Sequence, residues 1–133
     1  MPASYSIDTE HGIVHSVGTG VLTDADVLGH NVRLKQDAQF QPTFCNLWDL
    51  TGVDQLHVSS AVLWTLSREC AFAPTARRAF VVSSDVAYGL MRMFTLMSGD
   101  DSEAHLAVFR DREVAWRWLK AGDALIQALP QDS

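Results

Sequence analysis

Cysteine is scarce in this chain: there are two, Cys45 and Cys70, 25 residues apart. No Cys-x-x-Cys pair and no tight Cys/His group occurs, which excludes the usual zinc-binding and thioredoxin-type patterns. Cys45 lies in the apolar run Phe44-Cys45-Asn46-Leu47 and Cys70 ends an apolar helix, so both read as reduced, mostly buried thiols. Positive charge is short as well. Ten Lys and Arg stand against 16 Asp and Glu, a net charge of −6, the wrong sign for a nucleic-acid partner. No apolar stretch approaches the roughly 20 residues that a membrane-spanning helix needs. Met1-Pro2-Ala3-Ser4-Tyr5 has neither the basic start nor the apolar core of a secretory leader. A cytoplasmic protein without a membrane span is the expectation. There is no internal repeat and no low-complexity tract, and 47% hydrophobic with 20% charged residues excludes a disordered chain. At 133 residues one domain with a proper core fits and two do not. Residues 122–133 are expected as a loosely ordered tail to that domain.

What is present alternates strand and helix signals. Ser4–Asp8 and Ile13–Val17 flank the turn Glu10-His11-Gly12 and read as a hairpin. Gly18-Thr19-Gly20 is a break or bulge. Thr23 is a good helix N-cap, and Asp24 and Asp26 suit the positive end of the helix dipole. That helix stops near Asp37, before Gln41-Pro42. Pro42–Trp48 is the third strand and Asp49–Ser60 a polar loop. Ser59–Phe72 is the second helix. Arg77–Val82 is a strand whose Ala79–Val82 run suits a buried central position. Ser83-Ser84-Asp85 caps a third helix, whose stripe Val86, Leu90, Met93, Phe94 and Met97 keeps a helical period. After Gly99-Asp100-Asp101, His105–Phe109 is the last strand. Asp111–Lys120 is a helix with Val114, Ala115, Trp118 and Leu119 inward, and Asp123–Leu129 adds a turn or short helix. The order β-β-α-β-α-β-α-β-α predicts an α/β fold: a mixed sheet, hairpin first and parallel later, with flanking helices and right-handed crossovers.

In such sheets ligands and partners meet the loops at the carboxyl ends of the strands. Three loops qualify, Asp49–Ser60, Ser83–Asp85 and Arg110–Arg112. Asp49, Thr51, His57, Ser59 and Ser60 belong to the first; Ser83, Ser84 and Asp85 form a second wall. Tyr88 and Arg92 share a helix face at i and i+4, with Met91 beside them, and an exposed aromatic, arginine and methionine together suit a ligand or partner surface. That apolar face also predicts a homodimer. The plainer reading makes the serines N-caps, each worth about 0.5–2 kcal/mol, and Asp49 a turn residue. Asp49, Asp54 and His57 hold the side chains of acid–base chemistry, but no recognised nucleophile accompanies them, so no catalytic residue is assigned. His11, His15, His30, His57 and His105 are scattered without ligand spacing, so no metal and no cofactor are implied. Arg77-Arg78 and Arg110-Asp111-Arg112 read as solvated element ends.

Taken in order, Tyr5-Ser6-Ile7-Asp8, Gly20-Val21-Leu22-Thr23-Asp24, Phe40-Gln41-Pro42, Leu47-Trp48-Asp49-Leu50-Thr51-Gly52-Val53, Val81-Val82-Ser83-Ser84-Asp85-Val86-Ala87-Tyr88-Gly89-Leu90-Met91-Arg92-Met93-Phe94 and Val108-Phe109-Arg110-Asp111 with Trp118-Leu119 resemble the STAS-like superfamily. They are most similar to its SpoIIAA-like, or STAS/SEC14-like, branch of small bacterial domains. The resemblance implies a sheet flanked by helices. In the anti-sigma factor antagonists of that superfamily an Asp-Ser pair opens the second helix and its serine is phosphorylated by a partner kinase. Ser59 and Ser60 stand at the corresponding place, with Val58 where the Asp is expected and a loop one residue longer. They are the candidate phosphoacceptors.

Three function classes follow. The first is a non-catalytic regulatory or interaction module that binds a protein partner, or a small apolar or anionic ligand, at the strand-end loops. The second is a carrier of a lipid or apolar ligand, suggested by the Met/Phe-rich third helix and the SEC14-like resemblance. The third is a hydrolase-type enzyme using Asp49, His57 and Ser59.

Overall fold

The computed structural model describes residues 2–99 and 105–128, those from 122 onward by backbone only. Strands β1 (Ala3–Asp8), β2 (Ile13–Thr23), β3 (Cys45–His57), β4 (Arg78–Val81) and β5 (Leu106–Phe109) alternate with helices α1 (Asp24–Gln36), α2 (Ser60–Glu69), α3 (Asp85–Met97) and α4 (Arg112–Ala128) after the opening hairpin. They form one sheet in the order β1-β2-β3-β4-β5. The β1–β2 pair is antiparallel and the others are parallel. The mixed α/β architecture expected from the sequence is the one observed.

Successive side chains on a strand point to opposite faces, and the two faces are covered differently. Trp48, Leu50 and Phe80 pack with Leu63 of α2, Met91 and Phe94 of α3 and Val27 of α1. Leu47, Ala79 and Val81 pack on the opposite face with Ala115 and Leu119 of α4. A third cluster joins Val14 and Leu34 to Ala71, Phe72 and Ala76. Helix starts follow the capping residues. Thr23 caps α1 in a reciprocal box with Asp26, and Ser59 and Ser84 cap α2 and α3.

Four expectations are corrected. The segment Asp49–His57 is strand, not loop: β3 runs on beside the far half of β2, with Thr19 opposite Gly52 and Thr23 opposite His57. Two steps along β2, Val17 to Thr19, match three along β3, Asp49 to Gly52; one step, Gly20 to Val21, matches two, Val53 to Gln55. Each mismatch is a bulge in β3. Gly18 permits this packing, since a Cβ there would lie 2.9 Å from Leu50 Cδ2. On α3 the buried residues are Ala87, Met91, Phe94 and Thr95, whereas Val86 is 70% exposed. Phe94 of the predicted stripe is buried and Leu90, Met93 and Met97 pack partly buried against the same core, so Val86 alone leaves it, and the inward face widens to Ala87, Met91 and Thr95. On α4, Ala115 and Leu119 are buried but Val114 is exposed, and the helix continues to Ala128 without a break at Gly122. Arg78 is buried rather than solvated, because its strand has neighbours on both sides. Within the tail expected at 122–133, residues 129–133 lie outside the described residues, as do Asp100 and Asp101 of the predicted break.

Candidate functional site

Two regions carry polar chemistry, a rim at the ends of the central strands and a cavity beneath it. Asp49 is the last residue of β3 paired with β4, opposite Val81. Its Oδ1 accepts from the backbone N–H of Thr51 at 3.0 Å and from the Thr51 hydroxyl. Ser83 Oγ donates to the Thr51 carbonyl at 3.2 Å. The Arg110 guanidinium donates to Asp85 Oδ1 at 2.7 Å and lies 4.7 Å from the Tyr88 ring centre. Arg112 Nε stands 3.9 Å from Asp49 Oδ2. The structure thus brings together Asp49, Thr51, Ser83, Asp85 and Tyr88 and adds Arg110 and Arg112, which the sequence reading took as solvated ends. Ser84 accepts from Ala87 N–H at 3.1 Å as the cap of α3.

Ser59, Ser60 and His57 belong elsewhere. Eight residues of strand separate His57 from Asp49, a span of up to roughly 26 Å. Ser59 Oγ accepts from Val62 N–H at 3.2 Å, and the Ser59 N–H donates to Asp24 Oδ1 at 2.7 Å. The hydroxyl pair therefore sits beside the start of α1, not beside Ser83. Met91 leaves the face it was expected to share with Tyr88 and Arg92, since it is 6% exposed and points inward. The apolar patch on which the homodimer expectation leaned loses that residue.

Met91 lines an interior cavity of about 80 Å³ between the sheet and helices α1–α3. At a water's share of about 30 Å³, that is space for roughly two to three waters. Trp48, Phe80, Phe94, Leu56 and Leu63 supply apolar wall. The two bulges of β3 bring Leu56 and Val58 over it. Polar groups also line it: His30, Asn31, Asn46, Cys70 and Arg78, of which Asn46 and Arg78 are register partners on adjacent strands. Asn46 Nδ2 donates to the Val14 carbonyl and to Ser16 Oγ, both at 3.0 Å. Ser16 Oγ lies 2.9 Å from His30 Nε2. Burial first, and the nearby Arg33 charge second, push the pKa of His30 down to about 4, so the ring is neutral at pH 7. None of these five was a candidate from sequence. A polar Asn46 inside an apolar strand and an arginine abutting the run Ala79–Val82 were the available signals.

The architecture is a SpoIIAA-like fold. A solved structure from Shewanella loihica PV-4, an uncharacterised protein of the DUF3478 family with that fold, superposes with a TM-score of 0.56 at 18% identity, covering 88% of this chain and 91% of that one. No family model and no curated protein matches the chain. Among the described residues no helix is long and apolar enough to cross a membrane.

Proposed function

We propose that this chain is a non-catalytic regulatory module that holds a small, largely apolar ligand between its sheet and helices α1–α3. The cavity carries this reading. Protein interiors are packed as densely as organic crystals, and voids larger than a water are few. Here one opens among aromatic and methionine side chains, with several polar groups placed in its wall, which is the usual make-up of a small-molecule site. The rim of Asp49, Thr51, Ser83, Asp85 and Tyr88 lies on β3, α3 and the turn into α3, and β3 and α3 also wall the cavity, so occupancy has a short mechanical route to a protein partner at the surface. The SpoIIAA-like fold is consistent with a regulatory role of this kind. The cavity volume favours a small ligand over a carried lipid, whose acyl chain needs more room. The separation of Asp49 from His57 and Ser59 gives the hydrolase reading no assembled site.

Thermal denaturation against a panel of molecules of about four to five heavy atoms tests the proposal. A ligand that binds only the folded state raises Tm in proportion to ln(1 + [L]/Kd). Wild type is expected to show saturable shifts, and Leu66→Trp, which fills the cavity, to abolish them while staying folded. No shift with any member of the panel, or equal shifts in Leu66→Trp, would sink the reading.

A further inference from the structure

The cavity wall contains a charge that no acidic side chain among the described residues neutralises. Arg78 is 6% exposed, and arginine is almost never buried to that degree without a paired anion. Its Nε donates to the Ala76 carbonyl at 3.2 Å and one Nη to Cys70 Sγ at 3.6 Å. These satisfy hydrogen bonds but supply no carboxylate. Among the described residues the ion pairs join His11 to Asp8, Arg110 to Asp85, Arg112 to Asp49 and Arg117 to Glu113. No Asp or Glu is found among the described residues lining the cavity. An isolated buried cation is costly, and a well-placed counter-anion relieves that cost. The guanidinium fork has five N–H donors in a geometry that fits a carboxylate bidentately.

We propose that the cavity is a carboxylate site: a small apolar acid sets its carboxylate against Arg78 and its hydrocarbon body against Trp48, Phe80, Met91 and Phe94. This rests on the ligand-binding reading above and specifies its chemistry. The acid end sits at the Asn46–Arg78 register pair, and the apolar end lies under Leu56 at the far end of β3 and Val58 just beyond it. Room for roughly two to three waters fits a body of about four to five heavy atoms.

Propanoate and propanamide are matched in heavy atoms and differ in charge at pH 7. Titrating each into wild type and into Arg78→Met by isothermal calorimetry tests the assignment. Wild type is expected to bind propanoate at least about tenfold more tightly, as a charge-assisted pair requires. Arg78→Met is expected to bind the two alike. Its fold is expected to survive, because replacing a buried ion by an apolar residue of similar size is commonly neutral or stabilising. Equal affinities in wild type overturn the carboxylate site and leave the cavity reading standing; binding of neither probe overturns both. A preference that persists in Arg78→Met places the charge elsewhere and also overturns the proposal. If Arg78→Met does not fold, the wild-type ratio alone decides.

Discussion

Ser16 Oγ and His30 Nε2, 2.9 Å apart, join the middle of β2 to α1 through the floor of the protein's cavity-bearing face. Asn46 Nδ2 donates to the same oxygen, so the serine hydroxyl ties Asn46 of β3 and His30 of α1 together. The ring also meets Trp48 at 4.5 Å and Tyr5 edge-on at 5.5 Å between centres. The pair is a structural bond in the core; Ser16 itself is fully buried.

Burial of the His30 ring, with the nearby Arg33 charge second, sets a pH dependence. The folded-state pKa of His30, about 4, lies below its unfolded value of about 6.5. The unfolded chain therefore takes up a proton that the folded one refuses, and stability falls as pH drops from about 6.5 to 4. Above that window His30 is neutral in both states and has no effect. The group's full contribution is on the order of 3 kcal/mol. Urea denaturation of wild type and His30→Gln at pH 7, 5.5 and 4 checks this: the variant is expected to be less stable at pH 7, with the gap closing as pH falls. A gap that is constant with pH would show that His30 does not titrate this way.

The two adjacent serines at the start of α2 separate by role. Ser59→Ala removes the cap and is expected to cost about 1 kcal/mol, while Ser60→Ala stays within about 0.5 kcal/mol. Acidic replacements differ too. A carboxylate at Ser60 gains from the helix dipole by about 0.3–1 kcal/mol. At Ser59 the same gain is opposed by Asp24, whose Oδ1 already accepts the Ser59 N–H. Ser59→Asp is therefore expected to be no better than neutral and to improve with added salt, which screens the repulsion. Urea midpoints at low and high ionic strength measure both, and the opposite ranking of the alanine variants would move the cap to Ser60.

Helix α3 offers a test of orientation. Met91→Ala is expected to cost about 2–5 kcal/mol, the range for truncating a buried side chain of that size. Val86→Asp places a carboxylate at an exposed position in the first turn, and its effect is expected within about 0.5 kcal/mol. Chemical denaturation of the two variants reads this directly. Comparable losses at both positions would return the inward face to the Val86 side.

Much of the fold was legible because local signals agreed with one another. Thr23 followed by acids in the first turn, hydroxyls before the second and third helices, and the continuous run Ala79–Val82 each named an element by its own physics. The far half of β3 was not legible. Its inward residues Leu50, Val53 and Leu56 are spaced by three, a period that belongs to no regular strand, and only the two bulges reconcile that spacing with pairing to β2. On α3, Leu90, Met93, Phe94 and Met97 pack as their spacing predicts; Val86 was misjudged because hydrophobicity favours it, whereas the packed face also takes Ala87 and Thr95 for their size. Of the candidate site, Asp49, Thr51, Ser83, Asp85 and Tyr88 could be placed at one edge from loop order alone. Arg78 could not, because a doublet of arginines beside a strand gives no hint that one turns to the helix-covered face and the other stacks on Trp118.

The strand order 1-2-3-4-5 has a consequence for how the molecule is made. Every strand after the first is laid against the outermost strand already present, and none has to be inserted between two neighbours that are already bonded. A chain emerging from its N-terminus can therefore extend the sheet in one direction as it is synthesised, each helix closing over the strand just added. The cavity-bearing face is closed only when α3 arrives with Met91 and Phe94, so the polar floor built by Ser16, His30 and Asn46 is in place before its roof.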